Sequence, residues 1–350
     1  MTESILNRLK TESTPLVDQE KVTFIWHGRS APALVGDFTG WDDGTPVKLD
    51  KQGKGLWTYQ LSFPEDAYIE YAFKDGEESL ADPNNPRVSS NGVGGFNNYF
   101  TMVKYRPTDL SKRTRRIPHG TVTGHTLPTD NLIYGDERQI HLYQPPVTDP
   151  VPLVVVWDGL EYLSRVRLNY IVDNLIAQHR ITPIALAFIH NAGQDNRTSE
   201  YACNEATLLH LIAKVVPLAR KELNLLDINE RSGAYGVLGA SMGGLMALFT
   251  GARLPHIFGK VLSQSGAFTL GTFDTVVFDF LAIEKHDSLK IWLDVGRYDL
   301  PGLLEANRRM QSVLTQNHYS LSYREYNAGH NNPAWRDEVW RGLEALYGIN

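Results

Sequence analysis

A chain of 350 residues is longer than most single hydrophobic cores, and it predicts a large domain together with a smaller one. A hydrophobic fraction of 42% and a charged fraction of 21% are ordinary for a folded protein, which excludes extensive disorder. The net charge of -6 leaves no excess of basic residues to neutralise a phosphate backbone, which excludes nucleic acid as the main partner.

Residues 1–20 are predicted to be a lead segment without the continuous apolar stretch of a signal peptide. The most apolar runs of the chain, 151–157 and 184–189, have the length of buried strands and are too short to span a bilayer. The single cysteine, Cys203, excludes an intramolecular disulfide and a multi-cysteine metal site. We therefore expect a cytoplasmic protein with no membrane insertion.

Residues 21–104 are predicted to form a small β-sandwich. Val22, Phe24 and Trp26 occupy every second position, which is the period of a strand. Clusters of Gly, Asp, Asn and Pro separate such runs and are typical of turns. Residues 105–120 follow as a linker, and their basic run is interpreted as solvent-exposed: Lys112, Arg113, Arg115 and Arg116.

From residue 121 to residue 350, apolar runs of strand length alternate with amphipathic segments of helix length. This alternation predicts an α/β domain with a mostly parallel sheet, which binds ligands at the carboxyl ends of its strands. The predicted strands are 151–157, 183–190, 234–238, 260–263, 289–295 and 321–326. The predicted helices include 165–179, 204–223 and 333–347.

Residues 239–244, with the sequence GASMGG, fit the pattern G-x-S-x-G. They follow the predicted strand 234–238 and precede a helix-forming stretch. A sharp turn between strand and helix needs small neighbours, which Gly239 and Gly243 provide. This context predicts the nucleophile elbow of an α/β-hydrolase, with Ser241 as the nucleophile. A chance Gly-rich turn is the alternative.

A serine hydroxyl needs a base, and the unperturbed pKa of histidine suits that role. In α/β-hydrolases the base lies in a loop after the last strand. His330 closely follows the predicted strand 321–326 and is therefore the predicted base. His318 lies near the end of a predicted helix and is interpreted as a surface histidine.

The catalytic acid should lie on the loop after the preceding strand, where its carboxylate can orient the imidazole. Asp299 follows the predicted strand 289–295 and is the predicted acid. Three other carboxylates stay open as alternatives: Asp294, Glu305 and Asp337. Asp294 falls within the strand pattern, and the other two are expected in helices.

An oxyanion needs two backbone donors. The amide of Met242, next to the nucleophile, is the first candidate. The second is expected after an early central strand, where the amide of Gly159 or of Leu160 follows an apolar run.

Arg197 follows another predicted strand end and is the candidate to bind an anionic or phenolic group of the substrate. A surface ion pair with Glu200 is the alternative. The sequence has no GxGxxG, P-loop or HExxH pattern, and its scattered histidines show no ligand spacing. Neither a metal ion nor an organic cofactor is therefore expected.

The chain from about residue 121 to its end resembles the enterochelin esterase (ferric enterobactin esterase) branch of the esterase-D-like α/β-hydrolases. The resemblance implies an esterase without a metal or organic cofactor, catalytic roles for Ser241 and His330, and a substrate contact for Arg197. Beyond GASMGG, it rests on WDG at 157–159, RTSE at 197–200, CNE at 203–205, SQSG at 263–266, and GH at 329–330 with Trp335 and Arg336.

The first domain resembles the early-set immunoglobulin-like modules that are related to glycogen-binding domains. Trp41 and Trp57 could stack on a sugar, although such tryptophans are more often part of a sandwich core. Similar pairs of modules occur in feruloyl and acetylxylan esterases. The resemblance rests on LVGDFTGW at 34–41, Trp57, YAFKDG at 71–76 and DPNNP at 82–86.

Three functional hypotheses follow. The first is hydrolysis of a carboxylic ester through an acyl-enzyme on Ser241, with a catecholate siderophore trilactone as the substrate that the resemblance implies. The second is a feruloyl or acetylxylan type of carbohydrate esterase. The third, from another class, is a carbohydrate-binding scaffold with an inactive hydrolase domain, against which the intact Ser241, His330 and Asp299 argue. The expected partner is thus a small-molecule ester, either a ferric catecholate siderophore or a hydroxycinnamoyl sugar ester.

Overall fold

The computed structural model describes residues 2–53, 55–92, 94–283 and 285–349. The chain divides into two compact units. The first unit contains Met1–Pro107, Gly296–Leu304 and Tyr326–Ala334, and the second contains Thr108–Val295, Glu305–Glu325 and Trp335–Asn350. Two short loops from the C-terminal part of the sequence therefore belong to the same unit as the N-terminal residues.

The first unit begins with helix α1 (Thr2–Arg8) and continues with antiparallel strands. These strands are β1 (Leu16–Asp18), β2 (Lys21–His27), β3 (Ala33–Gly36), β4 (Val47–Lys48), β5 (Asp50–Gly53), β6 (Leu56–Ser62), β7 (Tyr68–Asp75), β8 (Glu78–Leu80), β9 (Val88–Ser90) and β10 (Phe96–Thr101). One sheet has the order β1-β2-β6-β5, and the other has the order β4-β3-β7-β10-β9 with β8 paired to β7.

Both sheets of the first unit contribute to one hydrophobic core. Val22 and Phe24 of β2 enter this core from one sheet, and Tyr71 of β7 enters it from the other. The ring of Phe24 meets the edge of Tyr71, with 5.1 Å between ring centroids. On the opposite face of β2, Ile25 packs against apolar residues of the lead segment, including Leu6. The predicted period-two pattern therefore corresponds to a real strand.

The two tryptophans proposed as sugar platforms are half-buried and donate their indole N–H groups within the sandwich. Trp57 Nε1 donates to the carbonyl of Gly28 at 3.1 Å, and its ring packs against the sandwich core. Trp41 Nε1 donates to Asp37 Oδ1 at 2.9 Å. These bonds give both side chains a structural role.

The remaining strands are β11 (Thr121–Pro128), β12 (Glu137–Gln144), β13 (Leu153–Val156), β14 (Ala185–Ile189), β15 (Tyr235–Ala240), β16 (Phe258–Gln264), β17 (Thr269–Leu270), β18 (Phe273–Asp274), β19 (Lys290–Gly296) and β20 (Ser320–Tyr326). The remaining α-helices are α2 (Gly159–Glu161), α3 (Leu168–Ala177), α4 (Gln194–Tyr201), α5 (Glu205–His210), α6 (Val216–Glu222), α7 (Met242–Arg253), α8 (Val277–Ile283), α9 (Pro301–Gln316) and α10 (Asn332–Tyr347).

An eight-stranded sheet with the order β11-β12-β14-β13-β15-β16-β19-β20 forms the centre of the second unit. The successive pairs from β14 through β13, β15 and β16 to β19 are parallel, whereas β12 pairs antiparallel with both β14 and β11 at one edge. Every residue of β13, β14 and β15 is buried, as expected for a sheet covered on both faces. The predicted fold class, an all-β sandwich followed by an α/β domain, is confirmed.

The six predicted strands correspond to β13–β16, β19 and β20, with ends shifted by a few residues. The predicted helix 204–223 is instead divided, because a π-helical turn at Leu211–Val215 separates α5 from α6. Strands β11 and β12 were not predicted. Most of the β11 side chains are solvent-exposed, so this strand lacks an apolar run. Within the described residues, no helix is long and apolar enough to cross a membrane.

Candidate active site

The predicted nucleophile lies at a sharp turn between a buried strand and a buried helix. Ser241 follows the last residue of β15 and precedes the first residue of α7. Its backbone has φ 58° and ψ -123°, a conformation that a non-glycine residue adopts only when the surroundings impose it. The amide of Ser241 donates to the carbonyl of Gln264 at 2.9 Å, and its carbonyl accepts from Ala267 at 3.0 Å. Both sides of the strained residue are thus held by backbone hydrogen bonds.

The glycines of the turn are needed because a side chain at their positions would clash with neighbouring atoms. A Cβ on Gly239 would overlap the carbonyl group of Gly243. A Cβ on Gly243 would lie 2.8 Å from Asp158 Oδ2, and one on Gly244 would lie 2.7 Å from Ser263 Oγ. Strand, helix and the neighbouring strand ends therefore approach more closely than any residue with a side chain would allow.

The predicted acid and base are hydrogen-bonded to each other. Asp299 follows β19 and His330 follows β20, and both residues belong to the first unit. Nδ1 of His330 lies 2.8 Å from Oδ1 of Asp299. Asp299 is only 3% exposed, and its Oδ1 also accepts from the amide of Leu300 at 2.8 Å. An ionised Asp299 would keep the imidazole proton on Nδ1, which leaves Nε2 to act as the base.

The three alternative acids have other surroundings. Asp294 is fully buried within β19 and accepts from Trp292 Nε1 at 2.8 Å and from Gln264 Nε2 at 3.2 Å. Burial raises the pKa of Asp294 to about 8. Glu305 is exposed on α9, and Asp337 on α10 accepts from the amide of Thr108 at 3.1 Å. His318, the other histidine considered as base, is exposed just after α9.

The three amides proposed for the oxyanion lie at the starts of two helices. Met242 is the first residue of α7, and Gly159 and Leu160 are the first residues of α2. The opening amides of a helix have no acceptor within it, so they can face a ligand. Strands β13 and β15, which lead into these helices, are adjacent and parallel, so both helix starts lie at the same edge of the sheet.

Gly159 also has a packing role at this edge. A Cβ at this position would overlap the backbone of Phe188 and Ile189 at the end of β14. Leu160, in contrast, is 48% exposed. A side chain at 159 would therefore push the α2 start away from the strand ends, whereas position 160 faces solvent.

Arg197 pairs with Asp158, so the alternative of a surface pair with Glu200 is wrong. Nε of Arg197 donates to Asp158 Oδ1 at 2.7 Å and Nη2 donates to Oδ2 at 2.5 Å. Nη2 also reaches the carbonyl of Ala240, the residue before Ser241, at 3.3 Å. Burial alone lowers the pKa of Arg197, but the adjoining Asp158 carboxylate outweighs burial and the pKa is raised.

Glu200 is buried in a second ion pair of the same helix. Both of its carboxylate oxygens accept from Arg138, at 2.6 and 2.8 Å. The Glu200 side chain was expected at the surface because charged residues rarely lie inside a protein without a partner. The partner, 62 residues away in sequence, was invisible to reasoning from sequence spacing.

Asp158 was missed as a functional candidate, although it was quoted within the motif WDG. Its backbone is in the left-handed region with φ 55°, and its amide donates to Tyr201 Oη at 3.2 Å. Its carboxylate binds Arg197 and lies beside Gly243 of the nucleophile turn. The available signal was its position, directly after a central strand at the edge where ligands bind.

Among the described residues, no group of three or more His, Cys, Asp or Glu side chains is arranged to hold a metal ion. His141 and His190 come together as a stacked pair with 3.0 Å between Nδ1 and Nε2. Burial, together with His141 and Arg138, lowers the pKa of His190 to about 4.

Comparison with known proteins identifies the family. The sequence profile of the Esterase family matches residues 133–346, which is more than half of the chain. The chain belongs to this family. Membership implies hydrolysis of a carboxylic ester, and the matched segment contains Ser241, Asp299 and His330.

The related proteins include siderophore esterases. The chain is 26% identical to the iron(III) salmochelin esterase of Escherichia coli O6:H1, over 95% of this chain and 88% of that protein. It is 27% identical to the iron(III) enterobactin esterase of Escherichia coli K12, over 56% of this chain and 50% of that protein. The predicted resemblance to the enterobactin esterase branch is therefore confirmed.

Solved structures show the same fold. The ferric enterobactin esterase of Salmonella typhimurium superposes with a TM-score of 0.80 at 20% identity, covering 97% of this chain and 98% of that one. The Shigella flexneri enterobactin esterase, crystallised in the presence of enterobactin, has a TM-score of 0.76 at 20% identity, covering 97% of both chains. A ferulic acid esterase from Anaeromyces mucronatus reaches 0.57 at 16% identity, covering 69% of this chain and 94% of that one.

Proposed function

We propose that the protein is a serine esterase in which Ser241 is the nucleophile, His330 the base and Asp299 the orienting acid. The observation that carries this proposal is the 2.8 Å hydrogen bond between His330 Nδ1 and Asp299 Oδ1, formed on the loops after β19 and β20. A strained serine after β15 supplies the third member in the chain order Ser, Asp, His of the α/β-hydrolases.

In the acylation step, Ser241 Oγ attacks the ester carbonyl carbon while His330 Nε2 takes the hydroxyl proton. The oxyanion that forms accepts hydrogen bonds from the amide of Met242 and from that of Gly159 or Leu160. Cleavage of the bond to the alcohol oxygen then releases the alcohol, which receives the proton from His330. An acyl group remains on Ser241.

In the second step, water attacks the acyl carbon and gives one proton to His330. The bond between Ser241 Oγ and the acyl carbon breaks, the acid product leaves, and the proton returns to Ser241 Oγ. Throughout, the buried Asp299 keeps the imidazole in one tautomer and stabilises its protonated form.

We propose a catecholate siderophore ester as the substrate, because relatives with this named activity align with most of the chain. Arg197 is the candidate contact for an anionic or phenolic group of that substrate. Its Nε and Nη2 bind Asp158, so Nη1 is the donor that would face a ligand. The same ion pair supports the nucleophile turn, since Arg197 also binds the carbonyl of Ala240.

A hydroxycinnamoyl or acetyl carbohydrate esterase is the second candidate. It is favoured by the fold shared with the ferulic acid esterase of Anaeromyces mucronatus. The inactive scaffold, the candidate from another class, loses support because Asp299 and His330 keep a catalytic geometry.

A panel of esters tests the proposal: ferric enterobactin, methyl ferulate, an acetylated xylan oligomer and p-nitrophenyl acetate. We expect hydrolysis of enterobactin with the highest kcat/KM, and loss of all hydrolysis in Ser241→Ala. A burst of p-nitrophenol equal to the enzyme concentration would confirm an acyl-enzyme. Preference for methyl ferulate over enterobactin would reject the siderophore substrate, and hydrolysis that survives Ser241→Ala would reject the nucleophile.

A further inference from the structure

The loops that carry Asp299 and His330 are hydrogen-bonded to and packed against the N-terminal sandwich. The amide of Tyr68, the first residue of β7, donates to the carbonyl of Asn327 at 3.0 Å. Asn327 Nδ2 in turn donates to Asp66 Oδ1 at 2.7 Å. On the other loop, the ring of Tyr298 packs on Phe63 of the sandwich core with 5.6 Å between ring centroids.

The two loops are also tied to each other, so a shift of one moves the other. The amide of Arg297 donates to the carbonyl of Tyr326 at 2.7 Å. The amide of Tyr298 donates to the carbonyl of Ala328 at 3.1 Å. Asp299 and His330 each lie within two residues of these bonds, which makes the acid and base part of one backbone assembly.

A single turn of the sandwich, residues 37–41, touches both loops. It starts with the 3-10 helix Asp37–Thr39 that follows β3. Gly40 has φ 71°, and a Cβ there would lie 2.9 Å from the ring of Pro301, two residues after Asp299. A Cβ on Gly329 would overlap the whole carboxylate group of Asp37. Gly329 therefore rests directly on Asp37, immediately before the predicted base.

The Asp37 carboxylate is held rigidly in this position. Asp37 is 4% exposed, and each of its oxygens accepts one hydrogen bond. Oδ1 accepts from Trp41 Nε1 at 2.9 Å, and Oδ2 accepts from the amide of Glu70 at 2.8 Å. Burial, followed by the charges of Glu70 and Asp299, raises the pKa of Asp37 well above its ordinary value.

We propose that Asp37 is a positioning residue for the acid and base, and that the N-terminal sandwich therefore supports catalysis. The Asp37 carboxylate packs directly against Gly329, the residue before His330. This contact sets how far the imidazole of His330 lies from Asp299. This inference rests on the proposed function, in which His330 takes the proton of Ser241. It assigns Asp37 no contact with substrate.

Paired substitutions at the contact between Asp37 and Gly329 test this role. Asp37→Ala removes the carboxylate that packs against Gly329, and Gly329→Ala adds a methyl group at the place that this carboxylate occupies. Because small misplacements of a catalytic group are costly, each change should lower kcat about 10- to 100-fold while KM stays nearly constant. In the double variant the added methyl group fills the vacated space, so kcat should exceed that of both single variants.

Two further variants separate positioning from general loss of stability. Asp37→Asn keeps a side chain of the same size against Gly329, so its kcat should be higher than that of Asp37→Ala. Asp82→Ala is the matched control, because Asp82 is an equally buried carboxylate of the sandwich that accepts from Thr14 Oγ1 and Tyr71 Oη, both at 2.7 Å. It should lower Tm without lowering kcat, measured well below Tm. The proposal is overturned if the fold-loss of kcat in the double variant equals the product of the two single fold-losses. It is also overturned if Asp37→Ala and Asp82→Ala have equal kcat values.

A second readout does not depend on activity. The proton shared by His330 Nδ1 and Asp299 should give a low-field NMR signal that disappears in His330→Ala. We expect Asp37→Ala to shift or broaden this signal and Asp82→Ala to leave it unchanged. An unchanged signal in both variants would overturn the role of Asp37, whereas a parent enzyme without Ser241-dependent hydrolysis would overturn only the proposed function.

Discussion

The proposed nucleophile and the proposed acid–base pair are held in place in different ways. Ser241 lies between a buried strand and a buried helix that directly adjoin it in sequence. Asp299 and His330 are held by residues more than 200 positions away in sequence, such as Phe63 and Tyr68. A strand-to-helix turn can therefore be recognised from local sequence, whereas a pair of loops gains its geometry from the surface on which it packs.

The largest effect expected is on the nucleophile itself. Ser241→Ala should fold normally, because its hydroxyl group contributes little to packing, and should lower kcat by about 10⁶-fold as in other serine hydrolases. His330→Ala should cause a loss of comparable size. If the two residues act as one unit, the double variant will lose no more activity than either single variant, as measured by single-turnover hydrolysis. Multiplicative losses would show that the two halves of the site work independently.

Asp299→Asn should give the next largest effect. Asparagine favours the wrong imidazole tautomer, so kcat should fall by up to about 10⁴-fold while Tm barely changes. The control is Glu305→Gln, since Glu305 is exposed on α9 and should be replaceable without effect. A near-parental kcat in Asp299→Asn would mean that another acid orients His330 or that the enzyme uses a Ser-His dyad.

Arg197→Met should have a moderate effect that depends on the substrate. Loss of the bonds to Asp158 and Ala240 should lower kcat for both esters. Loss of one charge-assisted hydrogen bond to the substrate should also raise KM for an anionic catecholate ester by about tenfold, whereas KM for a neutral short-chain ester should stay the same. Arg138→Met is the matched control, because Arg138 forms the other buried ion pair of α4, with Glu200. It should lower Tm and affect both esters equally. An equal effect on KM for both esters in Arg197→Met would instead assign Arg197 a purely structural role.

The smallest effect on activity is expected at Asp294, whose partner Gln264 supports Ser241 through its carbonyl group. Burial raises the pKa of Asp294 to about 8, whereas in the unfolded chain it should be about 3.9. Between these values the folded state binds one more proton than the unfolded state, so this group makes the protein less stable as pH rises.

Asp294→Asn removes this titration and tests its direction. Tm of the parent should fall more than Tm of the variant between about pH 4 and about pH 8, the window that the two pKa values define, with kcat changed only a few-fold. Trp292 and Gln264 keep an oxygen acceptor in the variant. Parallel Tm profiles for the two proteins would show that Asp294 is not protonated in the folded state.

Sequence patterns predicted the fold class because its elements have strong local signals. The apolar runs that became β13–β16 are fully or almost fully buried, so few polar positions interrupt them. Strand β11 escaped prediction because its side chains are largely exposed. The same reasoning predicted Asp299 and His330 from their places after strands, and the two side chains are hydrogen-bonded to each other.

The strand-to-helix turn at Ser241 and the order of the elements around it could be predicted from the sequence, because glycine spacing and hydrophobic period act over a few residues. The pairing of Arg197 with Asp158 and of Glu200 with Arg138 is visible in the folded chain alone. The contact between Asp37 and Gly329, and the grouping of the two loops with the sandwich, are likewise features of the folded chain. The physical reason is that buried charges and loops need partners for their polar groups, and the folded chain supplies those partners from residues far away in sequence.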